Sequence, residues 1–304
     1  MLDVRRMRVL REVAAHGTIA AAAAALDLTP SAVSQQVAAL ERETGVALVD
    51  RGPSSMVLTE AGRALVQHTE TVLAQLAEAE AELSAIDGLR SGRVRLGSFA
   101  SATGLAARAL RKFRERYPAV QVTVVERETT HSLAQLRRGE LDLALVYSYD
   151  YSPLDGVPAI EIRDLMRDPA LIALPRAHPL AGQTAVSLRE LADERWITEG
   201  PGSSCQRLIE GACRKAGFVP HLEVAGSSDY GVVQTLVAAG MGVAFVPRLA
   251  RQDQDGVAFA SPRVPVGRTI AVACRVGGRR SPAVATMLDL LVETASDVAG
   301  GELR

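Results

Sequence analysis

The stretch Thr29-Pro30-Ser31-Ala32-Val33-Ser34-Gln35-Gln36-Val37-Ala38-Ala39-Leu40-Glu41-Arg42-Glu43 decides how the rest of the chain is read. Thr29 can cap a helix, and Pro30 suits the first helical position, where a missing N–H costs nothing. Val33, Val37 and Leu40 then fall on one apolar helical face. The opposite face carries Ser31, Ser34, Gln35 and Gln36. These short uncharged groups donate and accept hydrogen bonds, which is the chemistry that reads base edges in a major groove. An ordinary solvent-facing helix has the same pattern, so the neighbouring segments must decide.

Upstream, Asp3 can cap a helix with Met7, Leu10 and Val13 on one face, closed by Gly17. Thr18 can cap a second helix, Ile19 to Leu26, made almost wholly of alanine. Alanine has the highest helix propensity, and its small side chain lets another helix approach closely. Asp27-Leu28 makes the turn before Pro30. Two short helices joined by a tight turn, the second polar on its outer face, form a helix-turn-helix. Downstream, Val46 to Val49 and Met56 to Leu58 read as strands around the turn Arg51-Gly52-Pro53-Ser54-Ser55. That hairpin is a wing, and it places Arg51 to meet phosphate or a minor groove.

Thr59 can cap a long helix, Glu60 to Ile86, about 40 Å at about 1.5 Å per residue. Leu65, Val72, Ala79 and Ile86 share one heptad register, and Thr69, Leu76 and Leu83 share another. With Glu78, Glu80 and Glu82 beside them they make a coiled-coil seam. A second copy of the chain is the simplest partner; packing on its own domain is the alternative. Asp87 to Gly92 reads as a flexible joint.

From Arg93 strands and helices alternate. The predicted strands are Val94 to Gly97, Val120 to Val125, Leu141 to Val146, Leu171 to Leu174, Leu222 to Val224, Val243 to Val246 and Thr269 to Arg275. The predicted helices are Leu105 to Arg116, His131 to Arg138, Cys205 to Ala216, Tyr230 to Ala239 and Pro282 to Val298. This alternation implies parallel sheets covered on both faces, with the last strand and helix rejoining the first sheet. Two small α/β lobes with crossings near Tyr149–Pro158 and Ser261–Val266 would leave a ligand-binding cleft between them.

Composition agrees with a globular protein of several domains: 304 residues, 48% hydrophobic and 23% charged. The net charge of −1 gives no sign of a polybasic nucleic-acid tail, so DNA binding must rest on local arrangement. No run approaches about 18 strongly apolar residues, so no membrane span is expected. Arg5, Arg6 and Arg8 followed by Ile19 to Leu26 mimic a signal peptide only loosely, because His16 and Gly17 interrupt the join. The three cysteines, Cys205, Cys213 and Cys274, lack metal spacing and indicate a reduced, cytoplasmic setting.

Taken in order, these motifs resemble the LysR-type transcriptional regulator family of bacteria. The resemblance rests on Gly17-Thr18-Ile19 through the alanines to Leu26, Ala32-Val33-Ser34-Gln35-Gln36-Val37 with Leu40-Glu41, Gly45-Val46-Ala47-Leu48, Arg51, and Leu58-Thr59-Glu60-Ala61-Gly62. Arg116-Tyr117-Pro118, Gly139-Glu140-Leu141-Asp142-Leu143-Ala144, His178-Pro179 and Gly240-Met241-Gly242-Val243 continue it over essentially the whole chain. It implies a winged helix-turn-helix at 1–58 and a dimerising linker helix and hinge at 59–92. It also implies a two-lobed, periplasmic-binding-protein-like effector domain at 93–304, with lobe I at 93–160 and 267–304 and lobe II at 161–266. The implied partners are double-stranded promoter DNA, a small-molecule effector, a second copy of the chain in a dimer or tetramer, and RNA polymerase. No membrane, cofactor or enzymatic activity is implied.

Matching positions assign DNA contact to Thr29, Pro30, Ser31, Ser34, Gln35 and Arg51. They assign effector contact to Ser98, Ser101, Thr103, Thr129, Tyr147, Ser203, Ser204 and Ser228. Pro30 departs from the glutamine of many members, and Ser54, Ser55 and Val57 occupy wing positions where a basic residue is common. Hydroxyls at helix N-termini suit an anionic or polyhydroxylated effector, although plain helix capping explains any one of them.

Competing chemistries are poorly supported. Gly240-Met241-Gly242 follows a helix and precedes a strand, the reverse of a dinucleotide fingerprint. The five histidines form no i, i+4 pair, so no metal site is expected. Cys205 and Cys213 would lie about 12 Å apart along one helix, too far for a disulfide. A ligand-binding module or enzyme whose N-terminal helices only dimerise is the alternative, in which Ser34 and Gln35 are plain surface residues. An architectural DNA protein fits poorly, since residues 1–58 carry six arginines against six acidic residues.

Overall fold

The computed structural model describes residues 2–51, 56–86, 93–154, 156–224, 227–278 and 281–301. The chain forms two compact units, the second holding nearly everything from Arg93 onward. In the first, α1 (Val4–His16), α2 (Ile19–Leu26) and α3 (Pro30–Thr44) start at the caps read from the sequence. Asp3 accepts from Arg5 N at 2.8 Å, Thr18 Oγ1 from Ala21 N at 3.2 Å and Thr29 Oγ1 from Ala32 N at 3.2 Å. Asp27 closes α2 in the left-handed region at φ 54°, a conformation that short polar side chains tolerate better than most. Met7, Leu10 and Val13 pack with Ala22, Ala23, Val33, Val37 and Leu40 in one buried cluster. Each fully buried valine or leucine there contributes about 1.5–3 kcal/mol, which fixes the outer face of α3 by burying the inner one.

The first wing strand lies further along than expected, sharing only Val49 with the predicted span and taking in Arg51 from the predicted turn. Strand β1 is Val49–Arg51 and pairs antiparallel with β2, Met56–Leu58; the predicted start at Val46 is three residues too early. Ahead of β1 the backbone is held by side chains instead of a ladder. Glu41 Oε1 accepts from Leu48 N at 2.9 Å, and Thr59 Oγ1 donates to Ala47 O at 2.8 Å. The wing tip Gly52-Pro53-Ser54-Ser55 and the joint at 87–92 lie outside the described residues.

Helix α4 (Glu60–Ile86) runs over the predicted span, and its heptad seam divides between two roles. Leu65, Thr69 and Val72 pack on the helix-turn-helix core, whereas Leu76 and Leu83 are exposed at 47% and 69%. Packing on its own domain thus accounts for the first half of the seam only. Gly62 lets α4 touch the wing base, since a Cβ there would collide with the Leu48 carbonyl oxygen.

In the second unit, β3 (Arg93–Ser98), β4 (Gln121–Glu126) and β5 (Leu143–Tyr149) are parallel, in the order β4-β3-β5. Strand β12 (Gly267–Arg275) rejoins this sheet beside β5, as expected, but runs antiparallel to it, so the all-parallel expectation is corrected; a strand that returns from the other lobe enters from the opposite end. Helices α5 (Thr103–Arg116) and α9 (Pro282–Gly301) cover one face, and α6 (Thr129–Arg137) covers the other. The second lobe is built on β8 (Arg195–Thr198), β9 (His221–Val224), β10 (Ala244–Pro247) and β11 (Val257–Pro262), with the short β7 (Ala185–Val186) at one edge. It places α7 (Ser204–Ala216) on one face and α8 (Tyr230–Ala238) on the other.

The join between lobes corrects the expectation. Strand β6 is a single run, Ile160–Pro175, where only Leu171 to Leu174 was predicted. Its first part pairs with β12 and its last part with β10 and β11. The first crossing therefore lies at Asp168–Ala170, not at Tyr149–Pro158, and residues 161–168 belong to the sheet of lobe I. The charges at Glu161, Arg163, Asp164 and Arg167 hid this half, because they sit on an edge strand whose outer face is wet.

Gly62→Ala tests the close approach of α4. In an ordinary helix interior the change gains up to about 1 kcal/mol; here calorimetry of the full chain should show a lower melting temperature, and a higher one would contradict the contact.

Candidate functional site

The N-terminal site is the outer face of α3. Thr29, Pro30, Ser31 and Gln35 are exposed and Ser34 is half-buried, while Val33 and Val37 behind them are sealed. Thr29 and Ser31 hydroxyls lie 3.0 Å apart and share one hydrogen bond, which orients both at the helix start. Gln36 is drawn aside, its Oε1 accepting from Arg6 Nε at 3.3 Å. Arg6 in turn is ion-paired with Glu43, so Gln35 is the amide left facing outward. Arg51 ends β1 opposite Met56.

The second site is the cleft between the lobes. Its centre is Arg268, 1% exposed, whose Nε and Nη2 lie 2.9 and 2.8 Å from Asp168 Oδ2. Nη2 also donates to Ser101 Oγ at 2.7 Å, and the guanidinium stacks over Phe99 and Tyr147 at 4.9 and 5.2 Å. Across the cleft Tyr149 and Tyr230 join hydroxyl to hydroxyl at 2.5 Å. Burial pushes the Tyr149 phenol up to about 12, partly offset by Arg268. Tyr147 donates to Glu128 at 2.8 Å. Glu199 stands on the opposite wall with its carboxyl above the usual range, raised by partial burial and then by Glu128. The buried Thr198 hydroxyl lines the same space beside the Cys205 thiol, with which it shares a hydrogen bond.

Of the residues matched to the effector site, Ser101, Tyr147 and Ser228 line the cleft. The other five have structural roles or lie elsewhere. Ser98 Oγ bonds the Phe99 carbonyl at 3.2 Å, and Thr129 Oγ1 accepts from Tyr147 N at 3.1 Å. Ser203 caps α7, and Ser204 is held by Arg207 and Ser152. Thr103 opens α5 and is exposed. Of these five, Ser203 alone makes a helix-capping bond. Sequence reading missed Arg268, Asp168, Glu128 and Glu199. The one available signal was a lone charge, Arg268, at the head of the apolar strand Thr269 to Arg275.

The cleft holds a free volume of about 30 Å³, room for about two waters. A wider space of about 400 Å³, sharing Ala100, Ser101 and Tyr230, opens beyond it. Cys205 and Cys213 are poor nucleophiles: burial pushes the Cys205 thiol up to about 11 and Cys213 up to about 12, and reactivity requires the thiolate. Among the described residues no cluster of histidine, cysteine or carboxylate could hold a metal, and no helix is long and apolar enough to cross a membrane.

A winged helix-turn-helix on a long helix, joined to a two-lobed α/β domain with a central cleft, defines a ligand-responsive DNA-binding regulator. Residues 4–63 match the model of the bacterial regulatory helix-turn-helix protein, lysR family, and residues 87–296 match the LysR substrate binding domain. The chain belongs to the LysR family of transcriptional regulators. It is 34% identical to the regulator CbbR of Sinorhizobium medicae (strain WSM419) over 250 residues, 81% of this chain and 77% of that one. It is 31% identical to the probable regulator LrrA of Synechococcus elongatus (strain ATCC 33912 / PCC 7942 / FACHB-805) over 98% of this chain and 99% of that one. The fold is that of full-length OxyR from Pseudomonas aeruginosa, with TM-score 0.73 at 20% identity over 96% of this chain and 95% of that one. It is also that of full-length CbnR in complex with its target DNA, with TM-score 0.55 at 22% identity, covering 97% of this chain and 100% of that one.

Arg268→Met removes one partner of a buried ion pair, a change that costs about 3–5 kcal/mol; urea unfolding of the full chain should show a loss of that order, and part of it should return in the double variant with Asp168→Leu. Glu199→Gln carries the opposite sign. A carboxyl raised in the folded state loses stability as pH climbs past its unfolded value of about 4.3, so this variant should melt higher than the parent at pH 7 and equal to it near pH 4. No difference between the two pH values would place Glu199 in ordinary solvent.

Proposed function

We propose that the chain reads its operator through Thr29, Pro30, Ser31, Ser34, Gln35 and Arg51, working in the cytoplasm as a dimer or tetramer. The observation that carries this reading is the geometry of α3: an uncharged polar face turned outward over a fully buried one. Pro30 offers only apolar contact, so discrimination falls mainly on Gln35, whose amide can pair both edges of an adenine. The exposed Leu76 and Leu83 support joining α4 to a second copy, with RNA polymerase as a further partner at promoters.

The effector occupies the inter-lobe cleft and contacts Ser101, Tyr147 and Ser228. Of the anionic and polyhydroxylated classes left open by the sequence, the cleft favours an uncharged polyhydroxylated molecule. Among the described residues its one buried cation is neutralised by Asp168, and two carboxylates, Glu128 and Glu199, face the space.

Fluorescence anisotropy with duplexes from upstream of the protein's own gene tests the DNA arm. A good bidentate base contact is worth about 1–3 kcal/mol, so Gln35→Ala should weaken specific binding by roughly 5- to 150-fold at unchanged melting temperature. Equal affinity for parent, Gln35→Ala and Ser34→Ala would favour a ligand-binding module whose N-terminal helices only dimerise.

A further inference from the structure

Lobe II carries a second concavity, with a free volume of about 240 Å³, that shares no lining residue with the cleft. Its floor is apolar, made by the buried Leu188, Ala212 and Val266. Three cations stand on its rim: Arg189, Lys215 and Arg263. Arg189 Nε donates to Ala216 O at 2.7 Å, which fixes its guanidinium across the C-terminus of α7. The side chains of Lys215 and Arg263 have no ion pair and no hydrogen bond among the described residues. The neighbouring carboxylate, Glu190, is occupied at the start of its own helical turn, where it accepts from Ser187 N at 2.9 Å. Cations commonly settle near a helix C-terminus, and that accounts for Arg189 and Lys215. It does not account for Arg263, which arrives from the end of β11.

The geometry points to a second ligand site here, for a small anion, carboxylate or phosphate, carrying a compact apolar body. An apolar floor with a few convergent charged groups is the general make-up of a small-molecule site. This pocket has far more room than the closed cleft and carries the unpaired positive charge that the cleft lacks. It is independent of the effector reading for the cleft. Its position gives it a route to regulation. Arg263, Val264 and Val266 lie on the segment joining β11 of lobe II to β12 of lobe I, and Tyr151 follows β5 and packs on Gly211 of α7. An occupant touches a crossing and lobe II together, so it favours whichever lobe arrangement holds those walls at its own width.

Calorimetric titration of the full-length protein with 4-bromobenzoate and with phenyl phosphate tests the site and distinguishes the two head groups. Saturable binding of at least one probe is expected, weakened tenfold or more in Lys215→Gln/Arg263→Gln at unchanged melting temperature. It should be unchanged in the cleft variant Thr198→Val. Crystals soaked with 4-bromobenzoate should place the bromine over Leu188. Equal affinity in the double variant, bromine in the inter-lobe cleft alone, or no saturable binding of either probe would overturn the proposal; the first and last leave the cleft reading untouched, whereas bromine in the cleft would also count against an uncharged effector there.

Discussion

The effector domain turns on the buried ion pair between Arg268 and Asp168. The two residues face each other directly in the ladder of β12 and β6, at the level where the chain passes from one lobe to the other. Neither charge can be left alone there, because an unpaired ion in the interior costs several kcal/mol. Each is therefore tied further. Asp168 Oδ1 accepts from Leu249 N in lobe II, and Arg268 reaches Ser101 at the head of α5 in lobe I. One desolvated pair thus holds a backbone group of one lobe and a side chain of the other. The aromatic rings of Phe99, Tyr147 and Tyr149 close around it.

The four helices of the N-terminal unit were legible in the sequence almost residue by residue, because their determinants are local; the first wing strand was not. Caps at Asp3, Thr18 and Thr29, left-handed glycines at 17 and 45, and an apolar face of spacing three and four act within a turn or two of where they are written. The effector domain was legible as a series of elements but not as a set of contacts. β7, β8 and β11 were missed; they are short or lack alternation, and sheet partners far along the chain define them. β6 was cut in half because a strand with charges on its wet face does not read as a core strand. The effector site was the least legible. Its serines and threonines were found by type and place at helix starts, yet five of the eight have local structural roles or lie off the cleft. The residues that set its electrostatics, Arg268, Asp168, Glu128 and Glu199, come from four separate elements and share no spacing.

Charge is distributed in a way composition hides. A net charge of −1 over the chain contains a cleft whose only buried cation is neutralised and a flank where three cations gather over apolar residues. The same local logic operates at the DNA-reading face, where Arg6 is taken up by Glu43 and the outward groups are amides and hydroxyls. On the reading proposed above, such a face would discriminate by hydrogen-bond pattern more than by attraction, and joining copies would supplement its affinity.

Strand β6 serves both sheets without a break, from Ile160 to Pro175, with Pro169 and Gly267 opposite each other at the passage. Domains joined by loops swing freely about them; domains joined by a hydrogen-bonded ribbon do not. Relative rotation of these lobes must wind or unwind that ribbon, which behaves as a torsion bar whose resistance rises with angle. The molecule is thereby suited to small graded adjustments, and the proline, lacking an N–H to lose, marks the point where the bar is most easily twisted.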